Sequence, residues 1–348
     1  MGRQQPGILM RDEGWKTLFH PFEAGHLPLP PEGSRILFIG AEPGFRLPEG
    51  FLGRIVMVQG FRPSFLQLRT LGHDVLPQID GDGYDLALVL AGRHRGRNEA
   101  WIDEAVARLR EGGLVVVAAS KQNGGDSLRR RMAKLVELDG HLSKHHGIVF
   151  WFVRPASPLP APEEAAASVE GRFETAPGMF SHGRVDPGSR LLAAHLPRSV
   201  RGAVADLGAG WGYLSAQLLE RAEPGLTLHL YEADFASCTA ARGNLARCAG
   251  ANTDVDIEVF WHDVTSEQLH RVYDLVVMNP PFHHSGHGAD PSLGIAMIEA
   301  AARGLRKGGR LHMVANVALP YERALAASFA RVEELAREDG FKVLVGTR

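Results

Sequence analysis

The chain has 348 residues, of which 45% are hydrophobic and 22% charged, and its formal net charge is −2. This composition is typical of a globular protein, is long enough for two domains, and argues against a uniformly basic coat for nucleic acid. The beginning of the chain lacks a basic segment followed by an apolar run, and no run of about eighteen apolar residues occurs. We therefore predict neither a signal peptide nor a membrane span, and a cytoplasmic location.

Cysteine and histidine are poorly arranged for metal binding or cross-linking. The two cysteines, Cys238 and Cys248, fall in one predicted helix, so they form neither a disulfide framework nor a zinc cluster and are predicted to be packing residues. The close histidine pairs at 145–146 and 283–284 lack the i, i+4 spacing of a zinc-binding helix. We predict no metal site.

Short apolar runs that end in Gly or Ala predict buried parallel strands in the first half of the chain, at 35–41, 54–60, 84–92 and 113–120. A helical apolar stripe covers 98–110, and Gly112-Gly113 is expected to close that helix. The Pro- and Ala-rich segment 155–168 reads as a linker. The same cycle then returns, with predicted strands at 203–209, 226–232, 256–263, 273–280, 310–317 and 341–347.

This alternation predicts two tandem Rossmann-like α/β domains, each a mostly parallel, doubly wound sheet with helices on both faces. We place them at residues 1–155 and 173–348, joined by a linker at 156–172. The phrases YDLALVLAG and LREGG of the first half recur as YDLVVMNPP and LRKGG in the second, which favours an internal duplication. The other reading is that any two α/β domains share such phrases.

A glycine-rich turn follows the first strand of the second domain. Asp206 ends the strand, and Gly208, Gly210 and Gly212 lead into a helix, so backbone can approach a ligand closely. Such turns also bind nicotinamide and flavin cofactors or are simply tight turns. Glu232 and Asp263 end the next two strands, where carboxylates can accept the ribose hydroxyls and the exocyclic amine of an adenosine, and Trp211 or Trp261 can cover its ring.

Asn279-Pro280-Pro281-Phe282 ends the fourth strand and is the most specific motif. The prolines stiffen the loop and remove N–H donors. The side-chain oxygen of Asn279 and the carbonyl of Pro280 can then accept both hydrogens of a planar amine, and Phe282 can stack on its ring. These three residues are the predicted catalytic group. In-line attack on an activated methyl donor requires position more than a strong base.

Together these residues resemble a class I S-adenosylmethionine methyltransferase over 200–348. Two further stretches, PGMFSHGRVDPGSRLLAAHLP at 177–197 and MVANVALPYE at 313–322, resemble the RsmC and RlmG group of ribosomal RNA guanine-N2 methyltransferases. The resemblance implies seven-stranded sheets, the cofactor S-adenosylmethionine, and a role for Phe180, Asp186 and Gly188 in enclosing its methionine end. Ser189 reads as the cap of the helix that follows.

The first half resembles the degenerate amino-terminal methyltransferase domain of that group. Ala41-Glu42-Pro43-Gly44 is expected to replace the glycine loop, and Ala91-Gly92-Arg93 to replace Asn-Pro-Pro, so cofactor binding there should be lost. Basic residues remain near that edge, namely Arg93, Arg95 and Arg97 in one predicted loop, Lys121 in another, and an arginine triplet at 129–131. They can hold RNA phosphates, or they can be ordinary surface charge. Charge supports the first reading, with 20 basic and 17 acidic residues up to 155, against 18 and 23 beyond.

The leading hypothesis is a monomeric enzyme that methylates the N2 amine of a guanine in ribosomal RNA, most simply 16S RNA or the small ribosomal subunit. Asn-Pro-Pro-aromatic motifs also serve adenine-N6 and protein-glutamine methylation, so those acceptors remain open. A third hypothesis, from another class, is an RNA-binding or assembly protein whose methyltransferase site has decayed.

Overall fold

The computed structural model describes residues 14–161, 164, 166–249, 254–281, 283–285 and 288–348, with backbone alone for 283–285 and 288–290. Internal contacts divide the chain into two compact units. The first unit comprises residues up to 165 except 61–63, and the second comprises 61–63 and 166–348.

The first unit contains one seven-stranded sheet with the strand order β3-β2-β1-β4-β5-β7-β6. The first five strands of that order run parallel, whereas β7 is antiparallel to both β5 and β6. The elements are α1 (Gly14–Glu23), β1 (Arg35–Ile39), β2 (Arg54–Val58), α2 (Arg62–Thr70), β3 (Val75–Leu76), β4 (Tyr84–Ala91), α3 (Arg95–Arg108), β5 (Leu109–Ser120), α4 (Gly125–Leu135), β6 (Gly140–Lys144) and β7 (Gly147–Val153).

The second unit repeats this order as β12-β11-β10-β13-β16-β18-β17, again with five parallel strands and an antiparallel pair at one edge. Two small hairpins, β8-β9 and β14-β15, lie outside the sheet. The elements are β8 (Ala167–Val169), β9 (Phe173–Thr175), α5 (Pro187–Ala194), β10 (Ala203–Leu207), α6 (Tyr213–Leu219), β11 (Leu226–Glu232), α7 (Phe235–Ala249), β12 (Val255–Trp261), β13 (Tyr273–Met278), β14 (His283–Ser285), β15 (Gly288–Asp290), α8 (Ser292–Gly304), β16 (Leu305–Asn316), α9 (Glu322–Ser328), β17 (Arg331–Glu338) and β18 (Phe341–Thr347).

Both faces of each sheet are buried, which explains the near-continuous apolar runs of the parallel strands. In the second unit, Val204 packs in a cluster with α5, α6 and α7, whereas its neighbour Ala205 packs in a second cluster with α8 and α9. Two separate clusters likewise divide the first unit, one with α1 and α2 and the other with α3 and α4. The predicted fold class, tandem Rossmann-like domains with helices on both faces, is confirmed.

The shared sequences Tyr-Asp and Leu-Arg-x-Gly-Gly make the same contacts in both units, through their aspartate and their arginine. Asp85 accepts a hydrogen bond from the N–H of Arg35 at 2.7 Å and pairs with Arg110. Asp274 accepts one from the N–H of Ala203 at 2.7 Å and pairs with Arg306. Each aspartate thus ties the start of the first parallel strand to the fifth.

The glycine pairs of these phrases do not close helices, which corrects the prediction from sequence. The helix α3 ends at Arg108, and Gly112-Gly113 lies inside β5, where the pairing with β4 shifts register. Gly112 has a φ of +73°, and a Cβ on Gly113 would lie 3.0 Å from the Arg110 carbonyl oxygen. The chain therefore turns sharply inside the strand, which only glycine permits at low cost.

Candidate active site

The glycine-rich turn after β10 opens at the carboxyl edge of the second sheet. Gly208, Gly210 and Gly212 all have positive φ, between +55° and +94°. A Cβ on Gly210 would meet no atom within 4 Å, so Gly210 faces open space, as a backbone that a ligand approaches must. Gly212 differs, because a Cβ there would lie 3.5 Å from Ala241 on α7. That distance is ordinary van der Waals contact, so glycine is favoured here by its φ of +94° at the start of α6.

Glu232, at the end of β11, is held against this turn. Its Oε2 accepts the N–H of Gly210 at 2.8 Å, and its Oε1 accepts the N–H of Asp234 at 2.8 Å. Burial raises the pKa of Glu232, and the two backbone hydrogen bonds counteract part of that effect. Each carboxylate oxygen retains a further lone pair for a hydroxyl donor.

Asp206 is fully buried beneath the same turn. Its Oδ2 accepts the hydroxyl of Ser215 at 2.7 Å, whereas its Oδ1 accepts no hydrogen bond from the described residues. Burial, with a smaller contribution from the charge of Glu232, raises the pKa of Asp206 to about 7. A buried carboxylate oxygen with an open acceptor position suits a ligand that donates hydrogen, above all a cationic amine.

Asn279 follows β13 and has a fixed amide. Its Nδ2 donates to Asp186 Oδ2 at 2.9 Å and to Ser189 Oγ at 2.8 Å. The proline ring fixes φ at both Pro280 and Pro281, and Pro280 is also buried, whereas Pro281 is exposed. The backbone beyond the strand end is therefore stiff. Phe282, the predicted stacking residue, lies outside the described residues.

A cleft brings several of the predicted residues together. It joins the turn between β9 and α5, the glycine loop and the start of α6 to the end of β13. Its walls are formed by Phe180, Ser181, Asp186, Ser189, Gly208, Ala209, Gly210, Trp211, Tyr213, Leu214 and Asn279. Phe180 stands at the rim with 52% of its surface exposed, and its carbonyl accepts a hydrogen bond from the indole N–H of Trp211 at 2.9 Å.

The helix α5 begins differently from the sequence-based prediction. Its N-cap is Asp186, whose Oδ2 accepts the N–H of Ser189 at 2.8 Å, and Pro187 occupies the first helical position. The prediction that Ser189 caps the helix was therefore wrong, because an aspartate followed by proline starts it three residues earlier. Gly188 lies off the cleft walls, and a Cβ there would lie 2.9 Å from the ring of Phe341.

The side chains of Asp263, Trp211 and Trp261 all contact neighbouring residues of the protein. The carboxylate of Asp263 accepts hydrogen bonds from Thr265 and Ser266 and so organises its own turn. Trp211 is buried against Phe173, whereas Trp261 is half-buried with its N–H on the carbonyl of Ala233. Asp263 and Trp261 therefore lie outside the cleft walls described above.

The same edge of the first unit carries different chemistry. The N–H of Gly40 bonds to the carbonyl of Val58, as that of Gly208 bonds to the carbonyl of Tyr231. This register equates Glu42 with Gly210, and Gln59 with Glu232. The pairing of β1 with β4 likewise equates Leu90-Ala91-Gly92 with Asn279-Pro280-Pro281. The sequence-based alignment of both loops was wrong by one residue; for the second loop, the strand pairing agrees instead with the ungapped match of YDLALVLAG to YDLVVMNPP.

The basic residues of the first unit fall on two kinds of element. Arg93 is exposed in the loop after β4, and Lys121 is exposed after the neighbouring strand β5. Arg95 and Arg97 lie in the first turn of α3, where Arg95 pairs with Glu99 at 3.2 Å, so the expectation of one loop was wrong. Arg131 on α4 also pairs with Glu99.

Two properties of the described residues bear on the class of site. In the part of the chain that the structure describes, His, Cys, Asp and Glu side chains form no group of three suited to a metal ion. Every helix among those residues is too short or too polar to cross a membrane. Cys238 is buried on α7 and Cys248 half-buried on the same helix, as predicted.

Comparisons with known proteins give the site a context. The family model "Methyltransferase small domain" matches residues 170–345. A protein named ribosomal RNA small subunit methyltransferase C, from Serratia proteamaculans (strain 568), is 36% identical over 176 residues, which are 50% of this chain and 48% of that protein. Its namesake from Salmonella paratyphi B is 38% identical over 182 residues, 51% of this chain and 50% of that protein. This chain thus matches about half the length of these relatives.

A solved structure matches almost the whole chain. It is described as the T. thermophilus 16S rRNA N2 G1207 methyltransferase (RsmC) in complex with AdoMet and guanosine. It is 27% identical to this chain, covers 97% of this chain and 92% of its own, and superposes with a TM-score of 0.77.

Proposed function

We propose that this chain, which belongs to the methyltransferase small domain family, transfers a methyl group from S-adenosylmethionine to the exocyclic N2 amine of a guanine in ribosomal RNA, with 16S RNA as the substrate. The observation that carries the proposal is the fixed amide of Asn279 beside the glycine loop. The likeness to the T. thermophilus RsmC structure, bound to AdoMet and guanosine, supports the choice of cofactor and base.

The groups proposed to bind this cofactor lie partly on the cleft walls and partly on three carboxylates outside those walls. We assign its methionine end to the walls near Phe180, Asp186 and Gly208, and its ribose hydroxyls to the carboxylate of Glu232. The open Oδ1 of Asp206 is a buried acceptor for its amino group. Asp263, whose carboxylate also accepts hydrogen bonds from its own turn, is proposed for the adenine amine. Gly188 supports the walls by packing against Phe341, and Gly212 does so through its left-handed backbone at the start of α6.

The bound cofactor supplies a methyl group already activated by a positive sulfur. The protein contributes position: Asn279 Oδ1 and the Pro280 carbonyl accept the two hydrogens of the guanine amine, which directs the nitrogen lone pair away from them. A nitrogen–carbon bond forms as the sulfur–carbon bond breaks, and the amine then releases one proton to water. No side chain of this site has to act as a strong base.

The first unit is proposed to dock RNA. Leu90 stands in place of Asn279 and Gln59 in place of Glu232, so the residues assigned to amine and ribose are replaced there. Arg93 and Lys121 remain exposed at the ends of two adjacent parallel strands, where phosphates can reach them. We further propose a cytoplasmic monomer with domains at 1–155 and 173–348 joined by the linker 156–172.

The test is transfer of a tritiated methyl group from the labelled cofactor to naked 16S RNA and to small ribosomal subunits. We expect label in RNA, and digestion with mass spectrometry should locate it as N2-methylguanosine. N6-methyladenosine or a methylated glutamine would replace the proposed acceptor. Failure to bind the cofactor by calorimetry, with RNA binding intact, would instead indicate an RNA-binding protein with a decayed site.

A further inference from the structure

We infer that Asp186 and Ser189 together act as a clamp that sets the orientation of the Asn279 amide, which makes both of them positioning residues for the methyl acceptor. This inference rests on the proposed function. It gives Asp186 a second task beside the proposed contact with the cofactor, and it gives Ser189 a task where the sequence indicated only a helix cap.

The chemistry of the clamp leaves one orientation. A carboxylate offers only acceptors, so the atom of Asn279 that faces Asp186 must be the amide nitrogen. The contacts are 2.9 Å to Asp186 Oδ2 and 2.8 Å to Ser189 Oγ, which uses both hydrogens of Nδ2. The carbonyl oxygen Oδ1 is then the only atom of that amide left to meet an incoming amine.

The orientation matters because an amide is nearly symmetric in shape and opposite in function at its two ends. If the Asn279 side chain turned by half a rotation, Nδ2 would present hydrogens to the hydrogens of the acceptor amine. The amine would be repelled, while the cleft would keep its shape. A displaced acceptor of this kind typically costs about 100-fold in rate.

The clamp is itself anchored to a helix start. Asp186 Oδ2 also accepts the N–H of Ser189 at 2.8 Å, so one oxygen both caps α5 and holds Asn279. Asp186 and Ser189 are separated from Asn279 by 93 and 90 positions in the sequence. The clamp therefore joins the segment before the glycine loop to the end of the fourth strand, which gives the stretch 177–197 a direct role in the chemistry.

Three substitutions separate the clamp from the cap. Asp186→Ser keeps a side chain that caps helices but is too short to reach Asn279, and Ser189→Ala removes the second acceptor while leaving the backbone cap intact. Asp186→Asn is the conservative variant, since one amide oxygen can replace Oδ2 in both bonds. We expect turnover on RNA, measured at saturating cofactor so that any loss of cofactor affinity does not enter, to fall about 100-fold in Asp186→Ser, about 10-fold in Ser189→Ala, and a few-fold in Asp186→Asn.

A second measurement does not depend on activity. In the protein labelled with ¹⁵N-asparagine, the side-chain amide hydrogens of Asn279 should exchange slowly with water, and Asp186→Ser should speed this exchange at least tenfold. Asp234→Ser is the matched control, because Asp234 caps α7 through Ser237 in the same way without touching Asn279. It should lower the melting temperature comparably and leave the Asn279 signal unchanged.

The outcomes distinguish the two ideas. If the wild-type protein methylates no RNA yet the Asn279 amide is protected and released as described, the proposed function fails and the clamp stands. If the wild-type protein is active and Asp186→Ser keeps its turnover, the clamp is wrong. Weakened cofactor binding at unchanged turnover would also overturn it, and would return Asp186 to the cofactor.

Discussion

The backbone N–H of Gly210 donates to Oε2 of Glu232 at 2.8 Å, so the glycine loop and the carboxylate that ends β11 hold each other in place. Glu232→Gln keeps the size of the side chain but replaces one acceptor with a donor. Because Gly210 and Asp234 each donate to a different oxygen, one N–H would then face an amide N–H. We expect affinity for S-adenosylmethionine to fall by about 10- to 100-fold, the loss of one to two charge-assisted hydrogen bonds.

Calorimetric titration with the cofactor measures this loss. Gln59→Glu is the control, since Gln59 holds the corresponding position in the first unit and bonds to the carbonyl of Ala41. That change should leave cofactor affinity as it is in the wild type. Unaltered binding in Glu232→Gln would remove Glu232 from the cofactor site.

Asp206 makes the stability of the second unit depend on pH. The pKa is about 7 in the folded protein against 3.8 for the free side chain, so between these values the folded state holds a proton that the unfolded state releases. The free energy of unfolding therefore decreases as pH rises from about 4 to 7 and is level above. The full difference corresponds to about 4 kcal/mol.

Asp206→Asn should remove this dependence while keeping an acceptor for Ser215. Denaturant unfolding at pH 5 and pH 8 tests it: the variant should gain stability relative to the wild type mainly at pH 8, and should bind the cofactor more weakly because the amino group loses a charged partner. A variant less stable than the wild type at pH 8 would contradict the assignment of burial as the dominant cause.

Asn279→Ala separates acceptor binding from cofactor binding. We expect turnover to fall about 100- to 1000-fold, with the dissociation constant for the cofactor within a few-fold, because the amide is assigned to the guanine amine. Single-turnover methylation and calorimetry on the same preparation measure the two quantities. A large loss of cofactor affinity would instead place Asn279 on the methionine end.

The exposed cations of the first unit are expected to contact phosphate. The double substitution Arg93→Ala and Lys121→Ala should weaken binding to 16S RNA. Because each phosphate contact contributes roughly 0.7–0.9 to the slope of log K against log salt, the loss of two contacts should make that slope about 1.5 less steep. Arg95→Ala is the internal comparison, and its effect should be smaller because Glu99 already pairs with Arg95. Filter binding over a salt series measures both, and an unchanged slope would make these residues ordinary surface charge.

Much of the fold could be predicted because parallel strands that are buried on both faces have nearly continuous apolar sequences. All ten predicted strands exist, and Glu232 ends its strand as expected. Four strands of the two sheets were not predicted, namely β3, β6 and β7 in the first unit and β17 in the second. The strand β17 reads RVEELARE and is largely exposed, so its charges carry no strand pattern, and the short exposed β6 is similar.

The site was predictable in its parts and not in its connections. The motifs identified Asn279, Gly208, Gly210 and Asp186, which the cleft unites. Ser189 as a partner of Asn279 was missed, since a contact across 90 positions leaves no local signature. Asp and Ser both cap helices, so the Asp-x-x-Ser spacing offers two possible starts for α5. The later one, Ser189, was chosen, whereas the helix is capped by Asp186.

Leu90 stands in the first unit where Asn279 stands in the second, on sheets of the same strand order. With two copies of the fold, one can be selected for methyl transfer and the other for RNA docking, as proposed above. A single sheet would have to meet both demands. On the proposed division of roles, loops of the first unit can change length without moving a reacting atom, as long as the RNA contacts of Arg93 and Lys121 are kept. The first unit, whose sheet has the same strand order as the second, is therefore a scaffold on which protein engineers can build a second specificity without changing the site of the second unit.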